Sequence, residues 1–100
     1  LPDYPWTQLE MNMQANTSMN NSKEEFHKLL KKFKESNKEQ GLEYYDIQLN
    51  KEKNAIEHAH FISDFQYLDG SMATLIYSSD LEKFYNQEVE EIQSLLEIMQ

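Results

Sequence analysis

Two histidines near the middle of the chain are the residues whose side chains and spacing best fit a chemical role such as metal binding. One residue separates His58 from His60, and Asp64 follows four positions later. Imidazole and carboxylate groups are the ligands of catalytic zinc and of non-haem iron. On an extended strand, however, Asp64 would lie about 13 Å from His60, which is too far for both to bind one metal ion. A small metal-dependent enzyme using His58 and His60 is therefore the third hypothesis for function.

Glu88 is a further residue with chemical potential, because it lies within the apolar face of the last predicted helix. If the carboxyl is buried there, desolvation raises its pKa, as in general acids; a position at the rim would instead reach water. The sequence contains no HExxH motif, no nucleophile triad and no glycine-rich phosphate loop, and it has only two glycines. It therefore predicts a protein that is not an enzyme and that uses no cofactor.

Composition excludes several further classes of protein. The 100 residues fit one domain, and the absence of cysteine excludes disulfide frameworks and thiolate metal sites. The net charge of −9 and the lack of arginine argue against nucleic-acid binding. No segment approaches the roughly 18 apolar residues of a membrane span. Because the chain begins at Leu1, a mature exported form is slightly favoured over a cytoplasmic one.

Charge is distributed unevenly along the chain. Residues 22–40 hold six lysines and four glutamates, whereas the rest of the chain holds three lysines and fourteen acids. A small domain with this excess of acid is attracted electrostatically to basic surfaces. The expected partner is therefore a basic protein.

Two strong helices are predicted around these charges. Residues 22–40 begin with a capping box from Ser22 to Glu25 and should end at Gly41 in a left-handed conformation. A second capping box at Ser79 begins a helix that runs to about residue 99. Residues 1–21 contain both prolines and a polar cluster, so they are expected to be a linker or a partly ordered segment with a short helix over 5–14.

Between the two helices the apolar period changes from 3.6 to 2, which is typical of strands. Residues 42–49, 55–68 and 71–78 read as three strands, with Asp69 and Gly70 at the centre of a type I′ turn. The predicted fold is an α+β two-layer sandwich in α-β-β-β-α order, with residues 22–100 as one domain. Its core should bury Phe33, Phe65 and Ile92 together.

The second face of this sheet is half apolar, which is typical of a surface that a partner or the N-terminal segment covers. The candidate partner-binding residues combine this face with acids of the last helix: His58, His60, Ile62, Leu75, Tyr77, Glu82, Glu90 and Glu97. The leading hypothesis is a small acidic non-enzymatic protein that neutralises or masks a basic protein, as inhibitors, immunity proteins and chaperones do. The alternative is a self-assembling structural module that forms a homodimer through the second sheet face or the last helix.

Overall fold

The described part of the chain forms a bundle of three helical segments. The computed structural model describes residues 6–66 and 70–99, leaving out the side chains at positions 65, 66 and 71. Helix α1 spans Gln8–Gln66 and helix α2 spans Gly70–Ile98. Lys38 interrupts α1 with a φ of 52° and a ψ of −120°. It divides α1 into a first arm (residues 8–37) and a second arm (residues 39–66).

Contacts between the segments define their directions. The two arms of α1 are antiparallel, and α2 is parallel to the first arm and antiparallel to the second. The two arms are joined by contacts of His27 with Glu52 and of Phe33 with Tyr44. Contacts of Ser18 with Glu82 and of Ser22 with Asn86 join the first arm to α2. Contacts of Lys51 with Glu88 and of His58 with Asp80 join the second arm to α2. The result is an elongated bundle measuring 52 × 26 × 15 Å.

The first helix begins at a capping box that the sequence analysis did not single out. The Glu10 amide donates to the Thr7 hydroxyl at 3.1 Å, and the Thr7 amide donates to the Glu10 carboxylate at 2.9 Å. This reciprocal pair satisfies two backbone donors that have no partner inside the helix. Helix α1 therefore begins at Gln8, fourteen residues before the predicted cap at Ser22.

The core lies along the shared axis of the three segments. On the first arm, Phe26, Leu30 and Phe33 recur at helical spacing and are buried, as the apolar stripe predicts. Their neighbours in the core come from all three segments: Met19, Ala59, Leu81, Tyr85 and Ile92. Phe33 and Ile92 thus share a core, as expected, whereas the side chain of Phe65 lies outside the described part.

The predicted α+β sandwich is wrong, because the described residues form helices and no strand. Residues 42–49 and the described part of 55–68 belong to the second arm of α1, and residues 71–78 belong to α2. Asp69 lies outside the described residues. Gly70 is the first residue of α2 and does not have the positive φ that a type I′ turn requires.

The buried positions of the second arm explain this error. They recur at helical spacing but carry small or polar residues: Gly41, Gln48, Glu52, Ala59 and Ser63. An amphipathic helix is recognised from large apolar residues at these positions, and none is present here. The apolar alternation of Tyr45, Ile47 and Leu49 therefore resembled a strand.

Other predicted boundaries also change. Residues 8–21, expected to be partly ordered or a linker, are helical, and Met19 among them is buried. Ser22 and Ser79 lie inside helices and are not caps. The Ser22 hydroxyl instead donates to the Asn86 side chain at 2.6 Å. The left-handed residue at the turn is Lys38, and Gly41 lies within the second arm.

Candidate functional site

The two histidines singled out from the sequence lie on the second arm and contact different residues of α2. His58 Nδ1 is 3.4 Å from a carboxylate oxygen of Asp80, and the His60 ring packs on the Tyr77 ring at 4.5 Å between centroids. Among the described residues, no group of three histidines or acids could hold a metal ion. The hypothesis of a metal-dependent enzyme therefore finds no third ligand in this part of the chain.

The remaining predicted partner-binding residues do not form one surface. Ile62 lies on α1, whereas Leu75 and Tyr77 lie on α2, and all three are partly buried. The described residues therefore do not form the predicted sheet face that these three would share. Glu82 accepts a hydrogen bond from the Ser18 hydroxyl at 2.8 Å, which joins α2 to the first arm. Of the proposed acids, Glu90 and Glu97 are exposed on α2, seven residues apart.

Glu90 and Glu97 belong to a concentration of acid at one end of the bundle. Residues 39–50 of the second arm and 84–99 of α2 contain seven acids and no lysine. These two stretches, called the acidic end below, lie side by side because the second arm and α2 are antiparallel. Six of the seven acids are exposed: Glu39, Glu43, Asp46, Glu90, Glu91 and Glu97.

A groove runs between the second arm and α2 at the acidic end. Tyr44 and Lys51 face α2, and helical spacing places Ile47 between them on the same stripe. On α2, Glu88, Glu91, Leu95 and Ile98 follow one another at spacings of three and four residues. These seven residues are called the acidic groove. Ile47 and Ile98 at its margins are 51% and 79% exposed.

The floor of the acidic groove contains buried polar atoms without partners. The Tyr44 hydroxyl and Glu88 Oε1 of the groove, and Gln48 Oε1 one helical turn after Tyr44, are buried and accept or donate no hydrogen bond. Burial, together with the negative charges of Glu91 and Glu88, raises the pKa of Tyr44 to about 12. Buried polar groups in folded proteins are normally paired, so three such atoms here need an explanation.

Next to this floor, Glu52 forms a paired polar cluster that connects all three segments. One of its carboxylate oxygens accepts a hydrogen bond from the Tyr85 hydroxyl at 2.6 Å and lies 2.8 Å from His27 Nε2. Hydrogen bonds to a carboxylate are stronger than neutral ones, and here they satisfy a nearly buried charge. Desolvation and this bond raise the pKa of Tyr85. The cluster fixes the second arm between its two neighbours.

Glu88 is buried, which decides between the two alternatives left open by the sequence. Its side chain is 6% exposed, and one oxygen is 3.8 Å from Lys51 Nζ. Burial raises the pKa of Glu88 above its ordinary value of 4.5, while the attraction of Lys51 opposes that change. The folded chain therefore binds a proton at Glu88 more readily than the unfolded chain does.

This gives a pH-dependent prediction for Glu88→Gln. As pH rises above 4.5, the unfolded chain ionises its free carboxyl while the folded chain resists, so folding becomes less favourable. We expect the variant to raise the free energy of unfolding at pH 7 by about 1 kcal/mol, and by less at pH 4, in urea titrations. The exposed Glu91→Gln is the control, with a change below about 0.5 kcal/mol. Destabilisation of Glu88→Gln at pH 7 would show that the Lys51 ion pair outweighs burial.

Three acids of this site could be named from the sequence: Glu90 and Glu97 as partner-binding residues and Glu88 as a residue with chemical potential. The other four, Glu39, Glu43, Asp46 and Glu91, were missed. The lack of lysine over 39–50 and 84–99 is visible in the sequence alone. That these two stretches are adjacent becomes clear only when residues 42–66 are helical and antiparallel to α2.

Comparisons with known proteins give no relative for this arrangement. No family model matches the chain, and neither curated proteins nor solved structures provide a match. Within residues 6–66 and 70–99, neither helix combines the length and the apolar character needed to cross a membrane.

Proposed function

We propose that this protein is a non-enzymatic binding protein that uses its acidic end to engage a basic protein partner. One observation carries the proposal: seven acids and no lysine occupy two adjacent stretches of helix. Six of the nine lysines lie on the neighbouring first arm and its turn, so at this end the negative charge is concentrated on the second arm and α2. Such a surface attracts positively charged surfaces and repels nucleic acid.

The charges at the acidic end are poorly neutralised by the protein itself. Apart from the contact between Lys51 and the buried Glu88, no ion pair is seen for the described acids of this end. Exposed like charges on neighbouring helices repel one another, and a basic partner would relieve that repulsion. Electrostatic complementarity of this kind accelerates association and makes it sensitive to salt.

Charge reversal tests the proposal. The tagged protein and its Glu90→Lys/Glu97→Lys variant are used to capture proteins from extracts of the source organism at low ionic strength. We expect the original protein to retain a protein of high pI, released as salt is raised, and the variant to lose at least tenfold of it. Reversing two charges removes both long-range attraction and local pairing.

A matched variant separates position from net charge. Glu24→Lys/Glu35→Lys changes the net charge by the same amount on two exposed residues of the first arm. This variant should retain the partner nearly as well as the original protein. The proposal is refuted if no basic protein is retained, or if both double variants lose it equally.

A further inference from the structure

We infer that the acidic groove receives a basic amphipathic helix of the partner. The inference rests on the proposed function and adds which surface binds and what form the partner takes. The groove is open along α2 beyond the acidic end, where its walls contain one acid and a further lysine and are formed by Asn54, Ala55, His58, Asp80, Lys83, Phe84 and Gln87. From Asp80 to Ile98, α2 extends about 27 Å, the length of a helix of about 18 residues.

The packing of the bundle favours a helix as the occupant. The first arm already fills the groove on one side of the second arm and α2, and the acidic groove is its counterpart on the opposite side. A helix placed there would pack on two helices at once and complete a four-helix arrangement. An extended peptide would gain no main-chain hydrogen bonds, because the described backbone here is helical and has no strand edge.

Apolar and charged groups together specify the face of that helix. Ile47 and Ile98 are exposed on the margins of the groove, and Leu95 lies half-buried between them. Apolar residues of an entering helix would cover these side chains. Its lysine or arginine side chains would meet Glu43 and Glu91, which have no described cationic partner. The pattern required is apolar residues at helical spacing with cations on both flanks.

The unpaired polar atoms of the groove floor are an independent sign of a ligand. Gln48 and Glu88 are more than nine-tenths buried, and each has a side-chain oxygen without a partner. The Glu88 carboxylate points toward the second arm, where Lys51 forms one wall of the groove. A guanidinium or ammonium group inserted from above would donate to such acceptors. Two acceptors and a hydroxyl in one place suit a cationic side chain better than an apolar one.

A second copy of this chain is a poorer occupant. Its lysines lie on the first arm, but the apolar side of that arm, with Phe26, Leu30 and Phe33, is already buried in its own core. It could offer cations to the acidic groove, but the exposed apolar residues of that arm, Leu9 and Met13, lie at least ten residues before its first lysine, Lys23. The partner must therefore be a helix whose apolar face is free before binding.

Two synthetic peptides test the inference with the full chain. One is an 18-residue amphipathic helix of lysine and leucine, and the other has the same composition without helical periodicity. Isothermal titration calorimetry should give one peptide per chain and a Kd about tenfold lower for the amphipathic peptide. Ile47→Ser/Ile98→Ser should raise that Kd about tenfold, whereas Leu9→Ser/Met13→Ser, at exposed apolar positions elsewhere, should change it less than twofold.

Three other results of these experiments would contradict the inference, each in a different way. Equal affinity for the two peptides, with no effect of the Ile47 and Ile98 changes, overturns the helix but leaves a basic partner in place. Binding of neither peptide at low salt counts against the inference and the proposed function together. Sedimentation showing that the free protein is a dimer, which Ile47→Ser/Ile98→Ser dissociates, would assign the groove to a second copy and overturn the inference.

Discussion

Replacing Phe26 with alanine is expected to lower the free energy of unfolding by about 3–5 kcal/mol. Phe26 is completely buried in the first arm, and its ring packs against the rings of Phe84 and Tyr85 at 5.9 and 5.5 Å. The truncation removes contacts with α2 and leaves a cavity that long, packed helices fill only in part. Because small domains are stable by only 5–15 kcal/mol, the loss would be a large share of the total.

Urea denaturation followed by circular dichroism measures this loss. Phe26→Leu is the second variant, because it retains most of the volume and keeps the experiment informative if the alanine variant does not fold. Leu9→Ala removes a side chain that is 67% exposed on the same arm and should change stability by less than about 0.5 kcal/mol. If Phe26→Ala costs under 1 kcal/mol, the first arm does not pack on α2 as described.

The second large effect is expected at Gly41, where a substitution to alanine should destabilise the fold by about 2 kcal/mol. An added Cβ would lie 2.7 Å from the Lys34 carbonyl oxygen and 2.9 Å from that of Phe33. Both are backbone atoms of the first arm, so they cannot move aside as a flexible side chain can. The tight turn at Lys38 brings the two arms this close, so a residue larger than glycine at position 41 forces them apart.

Gly70→Ala provides the matched control for Gly41→Ala. An added Cβ at Gly70 meets nothing within 4 Å, and the residue begins α2. There alanine should raise the free energy of unfolding by up to about 1 kcal/mol, because it favours helix more than glycine does. Equal effects of the two substitutions, measured by urea denaturation, would mean that the arms are not in close contact at the turn.

The core residues of the two arms show how much of the fold could be predicted from the sequence. The first arm was predicted over 22–40 because Phe26, Leu29, Leu30 and Phe33 form a clear apolar stripe. The last part of α2 was predicted for the same reason. In the second arm the buried seam is polar, since Gln48 and Glu52 occupy core positions. The Tyr85 hydroxyl that binds Glu52 is 33 residues away in the chain, so local pattern could not show that this position is buried.

The candidate site, like the fold, could be predicted only in part from the sequence. Net charge and the absence of a catalytic set of residues pointed to an acidic binding protein, which stays a prediction. Glu90 and Glu97 could be chosen from the sequence because they lie on the later part of α2, which was predicted to be helical. Ile47 was assigned to a strand, and its place beside α2 depends on the direction of the second arm. A surface that two helices form together can be predicted only when the packing of those helices is known.

The one-residue turn at Lys38 also has a consequence for the order of folding. The pairs that join the two arms near the turn, Phe33 with Tyr44 and Lys34 with Tyr45, are only eleven residues apart in the chain. The pairs that join the first arm to α2, such as Ser18 with Glu82, are 64 residues apart. Closing a short loop loses less chain entropy than closing a long one. We therefore expect the two arms to form a helical hairpin early, and the acidic groove to be completed only when α2 docks onto it.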